Sequence, residues 1–480
     1  MDIVALLEVL VQEILAAEEN FLKNPRDFYG LETAVKASAE NFSAGFLGMV
    51  LSSMNERLCR DAWRKSKYNI CRHDRRTLIT SVGDVVFDST YFKQRQGAGE
   101  YHYLLEDMLG LDAHERFSEA AETAILTEAL KSSYEEAAKV IPSKSEITKT
   151  TVMHKIHGIA DAIPLQKPLE RKACKYLFIE ADEDHVAEQH GRWSKENPGF
   201  ISRLAYIYEY KQENPKVKGR KELVNTYYFS GLYEGSKGVQ EFWEEVQHFI
   251  ELNYVPDELQ RVFVIGDGGN WIKSATTYVE RSLYCVDKYH MTKYINAAAN
   301  QMLDDAEDAK ASLYRFIYKK QRREFKEYTD RMLVSANNPV PILKLQSYAL
   351  ENWQAVMRSY HNKQLSGCSA EGHVSHVLSD RLSSRPMGWS QTGADRMSKL
   401  RCYERNHGRE KIIDLVRYSR EQRMLKRTGT EDIEVKKLSM KGIMNDHYKQ
   451  SRSYIERIQA IIPGMTVRKT ASIRNQLKLL

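Results

Sequence analysis

The 480-residue chain lacks paired cysteines: Cys59, Cys71, Cys174, Cys285, Cys368 and Cys402 stand singly, with no CxxC. That spacing indicates neither a disulfide framework nor a zinc ribbon, and it suits a reducing cytoplasm. No apolar run approaches the roughly 20 residues of a membrane span, so no membrane partner is expected. The apolar start, MDIVALLEVLVQEILAAEEN, has no basic region ahead of it and is interrupted by Asp2, Glu8 and Glu13, which argues against a signal peptide. Ile3, Leu6, Leu7, Leu10, Val11, Ile14 and Leu15 instead recur at helical spacing, as in an amphipathic helix that packs in a core or against a second copy. Internal repeats and low-complexity tracts are also missing. Neither sign of charge dominates: 71 Lys and Arg face 65 Asp and Glu, a net charge of +6 that leans mildly toward polyanions.

With 42% hydrophobic residues, the chain has material for more than one core. Residues 1–115 read as a helical region carrying a hairpin, since RRTLITSVGDVVFDSTYFKQR (Arg75–Arg95) places Gly83 and Asp84 between two β-rich runs. Residues 116–168 read as helix-turn-helix-like. Ser133 with Glu136, and Ser143 with Glu146, form S-x-x-E capping boxes ahead of helices over Tyr134–Val140 and Glu146–Ile156. In such a motif Thr148, Lys149, Thr151 and Lys155 of the second helix would meet DNA phosphates or base edges, although a small helical bundle offers the same pattern.

Residues 169–425 change character. KYLFIEAD, SRLAYIYEYKQ and ELVNTYYFSGLYE are β-rich runs, followed by the amphipathic VQEFWEEVQHFIEL, the strand RVFVIGD and then SLYCVD. This order predicts an α/β domain in which an antiparallel meander meets parallel strands. A charged helical insertion follows at about 299–362, broken at NNPVP (Asn337–Pro341). From Arg396 to Arg427, eleven Lys or Arg accompany four Asp or Glu, as on a phosphate-tracking surface or a solvated helical face. A flexible segment at Leu425–Lys437 begins the basic tail, 426–480.

Three carboxylates carry the chemistry. Asp182 and Asp267 each end an apolar strand, where α/β sheets present ligand groups. Glu371, in GCSAEGHVSHVLSDRLSSRP, falls in the first turn of a helix with Ser369 as N-cap, and its spacing to Val374 and Leu378 predicts an inward face. Spacings of 85 and 104 residues separate the three. Hard carboxylate oxygens favour magnesium or manganese, and two ions about 4 Å apart can serve an in-line displacement at phosphorus. Each carboxylate taken singly is equally served by a loop amide or a helix terminus. Glu180, Asp182 and Asp184 share a face if the strand runs on, which makes Asp184 the reserve ligand. His185 and His190 flank the first carboxylate. Arg381, Arg385 and Trp389 are candidates to clamp a phosphate or stack on a base.

IEADEDHV, VIGDGGNWIK, YCVDKYH and SAEGHVSHVLSDRLSSRPMGWS, in this order, resemble the blocks of bacterial insertion-sequence transposases of the ISLre type, within or near the Mutator-like superfamily. The likeness runs to Arg401 and is strongest between Asp182 and Met397. It implies a ribonuclease-H-like fold, an Asp-Asp-Glu triad of Asp182, Asp267 and Glu371 holding two Mg2+ or Mn2+ ions, and a helical insertion before the glutamate. It also maps a Cys/Asp-x-x-His element that organises substrate DNA onto Asp287 and His290; from the residues alone, Asp287 is equally a helix cap. The implied activity is endonucleolytic cleavage and strand transfer of a mobile element by a dimer on double-stranded DNA. A DNA-binding regulator derived from such an enzyme, or a nuclease without strand transfer, would carry the same signals.

Overall fold

The structure is a computed structural model that describes residues 3–95, 99–111, 115–159, 165, 168–189, 199–219, 221–365, 367–385 and 387–428. His190 and nearly all of the expected basic tail lie outside the described residues. Two compact units form: one from the described residues up to Lys155 together with those from Ile413 onward, the other from Ile156–Ile412. The sequence boundaries at 115/116, 168/169 and 425/426 therefore do not coincide with the division.

The first unit opens with α1 (Ile3–Lys23) packed on α2 (Phe28–Arg60), whose start Asp27 caps by accepting the Gly30 amide at 2.9 Å. After α3 (Ala62–Lys67), β1 (Tyr68–Thr80) and β2 (Gly83–Gln94) form the expected hairpin, begun seven residues before Arg75, and β3 (Tyr101–His102) adds a short edge. Val85, Phe87 and Phe92 pack with Leu104 and Leu105 of α4 (Leu104–Leu109) into this unit's core. α5 (Glu119–Ala129), α6 (Tyr134–Ala138) and α7 (Lys149–His157) follow. Ser133 caps α6 as its box predicts, accepting the Glu136 amide at 3.1 Å. The second box does not form: the Ser143 hydroxyl donates to Asp84 of the hairpin turn at 2.5 Å, and α7 starts six residues later, where Thr148 accepts the Thr151 amide at 3.3 Å.

The second unit is built on a mixed five-stranded sheet. Its elements run β4 (Tyr176–Ala187), β5 (Gly199–Tyr208), the ribbon β6 (Tyr210–Glu213) and β7 (Lys221–Val224), β8 (Tyr227–Gly231), α8 (Gly235–Asn253), β9 (Arg261–Gly266), the short α9 (Asn270–Lys273) and α10 (Ala275–Tyr278), β10 (Ser282–Val286) and α11 (Lys288–Ala299). In space the order is β10-β9-β4-β5-β8; β4 pairs antiparallel with β5 and parallel with β9, which pairs parallel with β10. The expected meander joined to parallel strands is thus present. α12 (Ala306–Tyr318), α13 (Arg322–Ser335), α14 (Val340–Glu351) and α15 (Trp353–His361) form the insertion; it breaks near NNPVP as expected, but that is not its single break, since the chain also turns at Lys319–Gln321 and at Asn352. These helices are no appendage, because Leu313, Phe325, Leu345 and Val356 share one buried cluster with Val264 of β9 and Trp243 of α8. After the insertion come α16 (Ala370–Val374), a π-helical turn over Ser375–Ser379, α17 (Asp380–Leu382) and α18 (Gln391–His407); α19 (Ile412–Thr428), which closes the described chain, belongs from Ile413 onward to the first unit.

Candidate functional site

Apolar alternation fixes where the acidic side chains emerge. In β4, Leu177, Ile179 and Ala181 are fully buried in the main core, so the intervening Glu180, Asp182 and Asp184 share the opposite face. Glu180 pairs with Ile265 across the parallel β4–β9 ladder, and two residues further on Asp182 stands beside Asp267, which follows the last residue of β9. Asp182 does not end its strand as expected, because β4 runs on to Ala187 through its antiparallel pairing with β5. Gly266 lets the strands close up there, since a Cβ on it would stand 2.9 Å from the Ala181 carbonyl oxygen. Gly268 turns the chain away with φ 106°, a conformation open to glycine.

Burial pushes the Asp182 carboxyl up to about 6; the Glu183 amide, donating at 2.9 Å, opposes this, and neighbouring Asp267 adds to it. Asp267 accepts the Gly269 amide at 2.9 Å. Asp287 ends β10 and does two jobs: one oxygen caps α11 by accepting the Tyr289 amide at 2.9 Å, and the other holds His290 Nδ1 at 2.9 Å. The bond to Asp287 raises the pKa of His290 against its own burial, and Asp182 and Asp267 raise it further. Two aspartates and one imidazole are thus electrostatic neighbours where β9 and β10 end beside the middle of β4.

Glu371 does not take its expected inward place. It lies in the first turn of α16 as predicted but is exposed, the buried stripe there being Ala370 and Val374, and it interacts with the Tyr289 hydroxyl. Among the described residues no three His, Cys, Asp or Glu side chains stand close enough to hold one ion, so Asp182 and Asp267 come together without Glu371. The reserve, Asp184, is buried; its Oδ1 accepts the hydroxyls of Ser379 and Ser383 at 3.0 and 2.7 Å, while its buried Oδ2 has no hydrogen-bond partner among the described residues.

Two residues offered as substrate contacts are structural. Arg381 and Trp389 are both buried, the guanidinium 4.7 Å above the indole, whose Nε1 donates to the Leu382 carbonyl at 3.1 Å. Arg385 and His185 are exposed. Thr148, just before α7, and Lys149 are exposed and Thr151 is half-buried, but Lys155 is bound to Glu115 at 2.7 Å and Glu122 at 3.3 Å. Much of the basic stretch from Arg396 is also engaged within its unit: Arg420 pairs with Glu122 at 2.6 Å and Arg417 with Glu119 at 2.8 Å.

Sequence reasoning noted Glu180 only as a face-mate of Asp182 and missed what surrounds it. Glu180 is fully buried and accepts the Tyr208 hydroxyl and Lys211 Nζ, each at 2.7 Å, the Tyr206 hydroxyl, and the amide and hydroxyl of Ser369 at 2.6 and 3.0 Å. Burial opposes its charge, yet Lys211 and these bonds hold the carboxyl below its ordinary range. The Ser369 hydroxyl consequently makes no cap on α16.

The five-stranded mixed sheet and its flanking helices define a mixed α/β protein with two neighbouring carboxylates on one sheet face. The chain belongs to the uncharacterised protein family UPF0236, whose pattern matches residues 21–418. A UPF0236 protein of Caldanaerobacter subterraneus subsp. tengcongensis is 32% identical over 83% of this chain and 82% of its own length, and its name covers eleven loci of that genome. A second from the same organism, covering four loci, is 30% identical over 83% of this chain and 82% of its own. The Drosophila P element transposase strand transfer complex aligns with 72% of this chain and 87% of its own at 9% identity, with a TM-score of 0.21, a likeness too low to carry an argument. No helix among the described residues is long and apolar enough to cross a membrane.

Proposed function

We propose that the protein is a transposase with a ribonuclease-H-like core, which cuts DNA at the ends of its own element and joins them to target DNA. The observation that carries this reading is the nearness of Asp182, in the middle of β4, to Asp267, just past the end of the adjacent parallel β9, beside the Asp287–His290 pair. Support comes from the strand order, three antiparallel strands followed by two parallel ones, which matches a ribonuclease-H-like sheet. The eleven loci of one relative in a single genome suit a mobile element.

Two neighbouring carboxylates, one desolvated enough to sit near pH 6, fit a divalent cation such as Mg2+ or Mn2+. Asp182 and Asp267 would hold it, with Glu371 the proposed third ligand. When bound, such ions supply charge stabilisation for the attacking and leaving oxygens at phosphorus. Asp287 orients His290 and favours its protonated form, placing beside the two aspartates an imidazole that could meet a DNA phosphate. Thr148 and Lys149 at the start of α7 are proposed DNA contacts, and exposed Leu22, Phe28 and Tyr29 near the α1–α2 turn form the proposed contact of a dimer.

Asp267→Asn and Asp182→Asn should each lower magnesium-dependent nicking of element ends by about 10²–10³-fold or more, while gel-shift affinity for those ends stays within about twofold. Nicking by either purified variant at the wild-type rate would refute the assignment. The exposed position of Glu371 favours one rival, a DNA-binding regulator; wild-type protein that binds element ends yet never nicks them under Mg2+ or Mn2+ would establish it. A Leu22→Lys/Phe28→Lys variant should sediment on DNA ends as one protomer where the wild type sediments as two.

A further inference from the structure

We infer that Glu180 is a positioning residue that locks the segment carrying Glu371 to the strand carrying Asp182; the inference rests on the proposed catalytic role of those two carboxylates. Glu180 and Asp182 are two residues apart on one strand face, a separation of roughly 7 Å along β4. Glu371 is two residues beyond Ser369, whose amide and hydroxyl both donate to one Glu180 oxygen at 2.6 and 3.0 Å. Lys211 bridges the other Glu180 oxygen, at 2.7 Å, to the Gly367 carbonyl, and the Cys368 thiol donates to Glu180 at 3.4 Å. Three consecutive residues, Gly367, Cys368 and Ser369, are therefore tied to a single carboxylate with no exposed surface.

The geometry of that tie is specific to the loop. A buried carboxylate needs compensation, and Lys211 with Tyr206 and Tyr208 already supplies a cation and two hydroxyl donors from β5 and β6. The Ser369 amide adds a main-chain anchor, fixing the backbone just before α16 and not merely a side chain. The same glutamate thereby anchors the start of the segment that carries Glu371 to the strand that carries Asp182, 189 residues earlier in the chain. Because α16 has only five residues before the π-helical turn, it has little length of its own to hold its start in place.

The test compares wild type, Glu180→Gln and Glu180→Gln/Lys211→Met, the double variant removing the cation that the first leaves unmatched. Cys368 serves as a reporter independent of activity: its alkylation rate, read by peptide mass spectrometry, should rise at least about tenfold once the loop is released. In single-turnover nicking, the rate at saturating DNA should fall about 10²-fold, the scale expected when a reacting group is misplaced by about 1 Å, while affinity for element ends changes less than about twofold. Glu180→Asp should recover part of the rate. Unchanged Cys368 labelling in variants that melt like the wild type overturns the tether, and faster labelling with an unchanged nicking rate overturns its positioning role. If wild type does not nick at all while labelling still rises, the tether stands and the proposed activity is what fails.

Discussion

Asp182 holds a carboxyl that is largely withdrawn from water, with Asp267, Glu183 and His290 as its charged neighbours. Its pKa is about 6 in the fold against 3.8 ordinarily, so between pH 4 and 6 the native state keeps a proton that the unfolded state releases. Stability should therefore fall as pH rises through that window and stay lower above it. Asp182→Asn removes this penalty. In the presence of a chelator it should unfold at higher denaturant than wild type at pH 7.5, by on the order of 2 kcal/mol after allowing for partial solvent screening, with no difference at pH 4. Magnesium should raise the wild-type melting temperature more at pH 7.5 than at pH 5, because a protonated ligand must first lose its proton; equal shifts at both pH values would separate Asp182 from metal binding.

Among the elements, the strands were legible because each apolar run of β4 and β9 leads into its aspartate, and period two then fixes the faces. Helix starts were less so. Ser143–Glu146 has the spacing of a capping box, but Asp84, 59 residues earlier, takes the hydroxyl, a tertiary contact that no local pattern encodes. Glu371 was assigned inward by counting three and seven residues along one continuous helix. α16 instead gives way to a π-helical turn after Val374, and its buried stripe of Ala370 and Val374 passes Glu371 by about 100°. The basic stretch was ambiguous in composition because its partners lie far away in sequence: α19 meets the acidic residues of α5. Arg420→Ala should destabilise the first unit by about 3 kcal/mol, since it strips a buried partner from Glu122. By contrast Lys149→Ala, at an exposed position, should leave stability unchanged and reduce the salt dependence of DNA binding by about one unit of slope.

At the scale of the molecule, a transposase reading makes a claim about the DNA around the gene as well as about the protein. Sequencing the flanks should find inverted repeats bracketing it, with short direct duplications outside them; flanks without either across several copies would leave the regulator as the better account. The four insertion helices bear on what such copies can become. Phe325, Leu345, Trp353 and Val356 of the insertion belong to the same buried cluster as the sheet that bears Asp182 and Asp267. A decaying copy that deleted them would open a greasy wall on its own sheet and aggregate, so no streamlined nuclease lies within reach of simple deletion. Degenerate members of this family should thus persist as whole-length proteins with altered acidic residues, or vanish, with few shortened forms between.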